Sequence, residues 1–106
     1  MIISGGVNIY PAEVEAVLHA HPAVMDAAVI GIPDDEWGES VKAVVQLRSG
    51  AVTTEADLMA FCDSRLAGYK KPRSVDFVDE LPRDAAGKLL KRQIRAPYWT
   101  QAGRKI

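Results

Sequence analysis

Residues 24–48 constrain the fold most. From Val24 to Ile32 the chain is β-rich and almost continuously apolar, the composition of a strand buried on both faces. From Glu39 to Arg48 it alternates. Val41, Ala43, Val45 and Leu47 fall on one face, Ser40, Lys42, Gln46 and Arg48 on the other, and only Val44 breaks the pattern. A period of two predicts a strand with one buried face. The connection between the runs, Pro33 to Gly38, is short and acidic, so the two strands are expected to pair antiparallel. Its three adjacent carboxylates lack the alternate spacing of a calcium loop. Trp37 in this turn reads as a cap on the sheet, or as a contact with another domain.

On both sides of this pair the periodicity becomes helical. Val14, Val17 and Leu18 form one stripe, Pro11 suits the first helical position, and Glu13 and Glu15 suit the positive end of the dipole. The expected helix runs from Pro11 to Ala20. His19 and His21 end it before Pro22. As a His-x-His pair they could bind a metal, but no further histidine or cysteine cluster supports that. Thr54 with Asp57 resembles a capping box, Leu58, Phe61, Cys62 and Leu66 make a second stripe, and Gly68 is expected to stop it. Ser74 to Val78 predicts a third long strand, and Lys88 to Ala96 a last helix ended by Pro97. Tyr98 and Trp99 then open a tail without periodicity that carries Arg104 and Lys105. At the other end, Met1 to Ile3 predicts a short strand running into Ser4-Gly5-Gly6. The expectation is therefore one α+β domain: a small three-stranded sheet with about three packed helices, plus a short N-terminal β-ribbon.

A single cysteine in 106 residues excludes an intramolecular disulfide and fits a reducing, cytoplasmic setting, with Cys62 as a small core residue. The apolar runs are too short to span a bilayer, and no secretory leader is expected from the N-terminus. Charge is lopsided. Residues 1–65 carry three basic against ten acidic side chains, residues 66–106 ten basic against four acidic. A polyanionic ligand would prefer the second part. Nucleic acid is a remote option, because no recognisable reader motif is present.

Two segments carry the chemistry. In Pro82-Arg83-Asp84-Ala85-Ala86-Gly87-Lys88-Leu89-Leu90-Lys91-Arg92, proline, aspartate and glycine form a loop, and Lys88 sits one residue past its flexible point. A lysine there is a mobile cation suited to anionic oxygens in phosphoryl or nucleotidyl transfer, or simply a solvated side chain on a turn. In Ser4-Gly5-Gly6-Val7-Asn8-Ile9-Tyr10-Pro11, two glycines allow positive φ or the close passage of something against the backbone.

The first segment resembles the last core motif of the adenylate-forming superfamily, which includes acyl-CoA synthetases, luciferases and peptide-synthetase adenylation domains. Its Leu-Leu-Lys-Arg tail is closer to acyl-CoA synthetases and fatty-acid–CoA ligases. The second is similar to the segment that opens the small C-terminal domain of those enzymes. The resemblance implies that Lys88 is the catalytic lysine of adenylation and that Gly87 supports its loop. It implies that Ser4, Gly5 and Gly6 line the passage for the pantetheine arm, and that Tyr69 and Lys71 contact the nucleotide part of CoA. ATP and CoA would be substrates, with magnesium as expected for the family. The large N-terminal domain, which holds the phosphate loop and the acyl pocket, would be the partner. The acid itself is left open, as fatty, aromatic or steroid-like. The other reading is a stand-alone, non-catalytic binding module derived from such a domain.

Overall fold

The structure, a computed structural model, describes residues 1–101. Arg104 and Lys105 lie outside the described residues. The chain runs β1 (Ile2–Ser4), β2 (Val7–Ile9), α1 (Pro11–His19), β3 (Val24–Asp34), β4 (Gly38–Leu47), α2 (Glu55–Asp63), a 3₁₀ turn (Gly68–Lys70), β5 (Ser74–Val78) and α3 (Lys91–Gln101). β1 and β2 form an antiparallel ribbon, and the main sheet has the order β3-β4-β5. β4 and β5 are parallel, so their connection crosses over through α2.

Two cores sandwich the sheet. On one face Val24, Ala27 and Val29 of β3 and Val41, Ala43 and Val45 of β4 pack against Val14 and Leu18 of α1 and Leu58 and Cys62 of α2. On the other, Ala28, Ile30 and Val44 meet Leu81 and Ile94. This second core corrects the expectation for β4. Ser40 and Lys42 are buried, not solvated, because α3 covers their face. Val44, the break in the alternation, is where that cover rests. Lys42 pairs with Asp76 at 2.9 Å and lies 5.3 Å from the Tyr98 ring. Tyr98 in turn donates to Asp76.

The last helix differs from expectation at both ends. It begins at Lys91 because residues 88–90 are taken up by backbone pairing: Leu90 N–H donates to the Pro82 carbonyl, and Arg83 bridges to Leu89. It continues through Pro97, although proline removes one helical hydrogen bond. The turn beyond Pro97 is held from outside, by Tyr98 on Asp76 and by Trp99 Nε1, which donates to the Gly31 carbonyl at 2.9 Å. α2 likewise stops at Asp63, short of Gly68, which opens the 3₁₀ turn with an ordinary φ. Thr54 caps α2 as expected, accepting from Asp57 N–H at 3.1 Å. β3 extends past Ile32 to Asp34, so Pro33 lies in an edge strand, where a missing donor is tolerated.

The open edges of the sheet are closed by side chains. Val29 N–H donates to Glu15 at 2.8 Å, and the Val29 carbonyl accepts from Lys91 at 3.0 Å. On β5, Val75 N–H donates to Glu55. Unpaired strand edges template aggregation, and these carboxylates and the lysine occupy both polar backbone atoms of Val29 and the N–H of Val75.

Candidate functional site

The Lys88 loop is a tight hairpin whose backbone is held at several points. Asp84 N–H donates to the Lys88 carbonyl and Gly87 N–H to the Asp84 carbonyl, both at 2.9 Å. Asp84 Oδ1 also accepts from Ala86 N–H and Lys88 N–H at 2.9 Å. Gly87 takes φ +84°, which only glycine adopts without strain. Arg83 donates to the Gly87 carbonyl and grips Asp26 of β3 through Nε at 2.8 Å and Nη2 at 2.6 Å. That hydrogen bond from Arg83 holds the Asp26 carboxyl below the usual carboxylate range against the opposing effect of burial. Leu81 and Leu89 root the hairpin in the second core.

The Lys88 side chain contrasts with its base. It is exposed, and its ammonium makes no ion pair or hydrogen bond among the described residues. An open groove lined by Asp84, Lys88, Leu89, Gln93 and Ala96 lies beside it. A fixed backbone thus carries a long, uncommitted cation.

The glycine segment is a two-residue hairpin turn. Gly5 has φ +58° and Gly6 φ +81°, and Ser4 pairs with Val7 across it. Positive φ at both central residues matches the twist of the strands it joins. Ser4 is buried, whereas Gly5 and Gly6 are exposed. Gly5 N–H donates to the Trp37 carbonyl at 2.9 Å, and the Trp37 ring lies against Gly5. The Arg73 guanidinium lies over the Trp37 ring, 4.7 Å from its centroid. Around Gly6 there is open space.

Tyr69 is half exposed on the 3₁₀ turn. Its cationic neighbours are engaged in surface ion pairs, Lys71 with Asp63 at 2.6 Å and Lys70 with Glu13 at 3.0 Å. His21, considered above as half of a metal pair, instead bonds Asp57 at 3.0 Å. Its Nδ1 accepts from Ala23 N–H, which places the proton on Nε2. No group of three or more His, Cys, Asp or Glu among the described residues could hold a metal ion. No described helix is long and apolar enough to cross a membrane. The Cys62 thiol is buried, which pushes its pKa up and leaves it unreactive.

The two loops lie at opposite ends of β3. The Lys88 hairpin is tied to Asp26 near its start, and the glycine turn to Trp37 just past its end at Asp34. Eight residues of strand separate Asp26 from Asp34, about 27 Å at the usual rise. Sequence reasoning passed over Asp26 and Arg83. The signal available was a lone carboxylate inside an apolar strand, which a cationic partner has to neutralise.

The structure is a mixed sheet covered on both faces, with two backbone-held loops tied to the ends of β3. Residues 13–88 match the AMP-binding enzyme C-terminal domain, and the chain belongs to that family. It is 56% identical over 95 residues to the 2-succinylbenzoate–CoA ligase of Geobacillus kaustophilus, covering 90% of this chain and 19% of that protein. A Mycobacterium tuberculosis fatty acyl CoA synthetase structure aligns with TM-score 0.87 at 44% identity, over 95% of this chain and 20% of that one. The o-succinylbenzoate CoA synthetase of Bacillus subtilis, solved with its acyl-adenylate intermediate, aligns with TM-score 0.83 at 47% identity, over 88% and 19%. The chain thus spans about a fifth of the length of the relatives it matches.

Proposed function

We propose that this chain is the mobile C-terminal domain of an AMP-forming acyl-CoA synthetase and works against a large nucleotide-binding domain. In the first half-reaction a carboxylate oxygen of the acid attacks the α-phosphorus of ATP. The bond to pyrophosphate breaks and acyl-AMP forms. In the second, the CoA thiolate attacks the acyl carbon, the bond to AMP breaks, and the thioester leaves. Magnesium accompanies the ATP phosphates; no residue described in this domain is assigned to it.

Lys88 carries the first step. A carboxylate and a phosphate approaching one another repel, and an ammonium between them offsets that repulsion as charge concentrates in the transition state. The uncommitted Lys88 ammonium on its braced hairpin is the observation that carries this reading. Gly5 and Gly6 serve the second step by letting the pantetheine arm pass close to backbone. Loops tied to opposite ends of one strand face different directions, so rotation of the whole domain brings each in turn to one active centre. Tyr69 and Lys71 take the nucleotide end of CoA. The exposed pairs of Lys70 and Lys71 are weakened by solvent, so phosphates can displace their carboxylates.

Grafting tests the proposal. This domain replaces the C-terminal fifth of a similar CoA ligase, and ATP–pyrophosphate exchange and thioester formation are measured. Recovery of both supports the reading. A well-folded graft that binds but turns over nothing points instead to a non-catalytic binding module.

A further inference from the structure

Asp26 is a buried carboxylate in an apolar strand. Its place depends on a bulge. The register between β3 and β4 shifts between Val24 and Asp26, leaving Met25 without a partner. The extra residue puts Val24 and Ala27 on the α1 face and turns Asp26 to the opposite face, with Ala28 and Ile30. There it meets Arg83, and His19 Nε2 lies 3.5 Å from the same Asp26 Oδ1.

The planar fork of Arg83 divides its donors. Nε and Nη2 take the two oxygens of Asp26, and Nη1 takes the Gly87 carbonyl. That carbonyl belongs to the peptide unit that ends at Lys88 N–H, and Asp84 Oδ1 holds this N–H. Both polar atoms of the Gly87–Lys88 peptide are therefore fixed, one by Arg83 and one by Asp84. Their combined effect sets the plane from which the Lys88 side chain departs.

We infer that Arg83, locked by Asp26, is a positioning residue for the Lys88 step. This rests on the adenylation role proposed for Lys88. Neither residue touches substrate: they set where the base of the lysine stem stands. A lysine at position 83 would keep the charge but could not hold Asp26 and the Gly87 carbonyl together.

The test uses the complete enzyme carrying this domain and compares R83K, D26N, K88A and the double variant R83K/K88A. Both half-reactions are followed, with acyl-adenylate supplied for the second. Displacing a reacting group by about 1 Å costs up to about 10²-fold. R83K is expected to lower kcat for pyrophosphate exchange by about 10- to 10²-fold while KM for ATP stays within about twofold. D26N should do the same to a smaller degree, and the thioester half-reaction should be largely spared. R83K should add nothing once Lys88 is gone. Equal losses in both half-reactions, a change confined to KM, or an additive loss in the double variant would show a merely structural tie and overturn the inference. If K88A loses exchange but R83K does not, only the positioning claim fails. If K88A is harmless, the reading of Lys88 itself fails.

Discussion

The Trp37 indole lies against Gly5 so closely that a Cβ on that glycine would stand 2.5 Å from its Cε3. The contact ties the tip of the N-terminal ribbon to the turn between β3 and β4, and the Gly5–Trp37 backbone hydrogen bond reinforces it. The two glycines of one turn therefore face different constraints.

Gly5→Ala should destabilise the domain by about 1–3 kcal/mol beyond its φ strain, because an overpacked contact must open. Gly6→Ala should cost only the strain of positive φ, about 1–2 kcal/mol, since its surroundings are open. Urea denaturation separates the two. Trp37→Ala should recover the extra loss of Gly5→Ala but leave Gly6→Ala unchanged. In the complete enzyme, Gly6→Leu should slow thioester formation far more than pyrophosphate exchange, because only a group arriving from outside would meet the new side chain.

Acid stability should depend on Asp26. Its carboxyl is held below its unfolded value, chiefly by the Arg83 hydrogen bond. The stabilisation is thus present above the unfolded pKa, near 3.9, and lost as pH falls through the lower folded value. Asp26→Asn should flatten the fall in stability below about pH 4. Unfolding midpoints measured across the acid range check this.

At the alkaline end Tyr98 sets the limb. Burial, then its hydrogen bond to Asp76, raises its pKa well above the ordinary tyrosine value. A raised folded pKa means stability fully present below about pH 10 and lost as pH climbs toward the folded value. Tyr98→Phe should cost about 1.5–3 kcal/mol at neutral pH, as for a hydrogen bond to a charged group. Above about pH 10 the variant should lose stability less steeply than the parent.

Pro97→Ala should stabilise α3. Proline in a helix interior costs about 3 kcal/mol relative to alanine. Pro97 also lines a pocket with Ile94 and Tyr98, so part of that gain can be offset by lost packing. A rise in thermal midpoint is expected. A fall would show that the proline ring contributes more by packing than its missing donor costs.

Much of this was legible in sequence because local and global preferences agree. The stripes of α1 and α2, the Thr54 cap and the β3–β4 pair follow from periods of 3.6 and 2, and the two loop motifs from their glycines and prolines. The misreadings of β4 and α3 share one cause. Residues facing the second core look like a polar strand face, because Lys42 is buried against partners distant in sequence, Asp76 of β5 and Tyr98 of α3. α3 was misplaced for the same reason. Residues 88–90 are good helix formers that pair backward with 82–83, and residues past Pro97 are poor ones that Tyr98 and Trp99 hold on the sheet. Arg83 lay within the motif, but its partner Asp26 is 57 residues away, beyond the reach of any local pattern.

The most direct measurement is Lys88→Ala in the complete enzyme, with the two half-reactions assayed separately. Pyrophosphate exchange should fall by about 10²–10³-fold, the usual loss for one preorganised donor, while supplied acyl-adenylate is still converted to thioester at close to the parent rate. Undiminished exchange, or equal loss in both steps, would contradict the account.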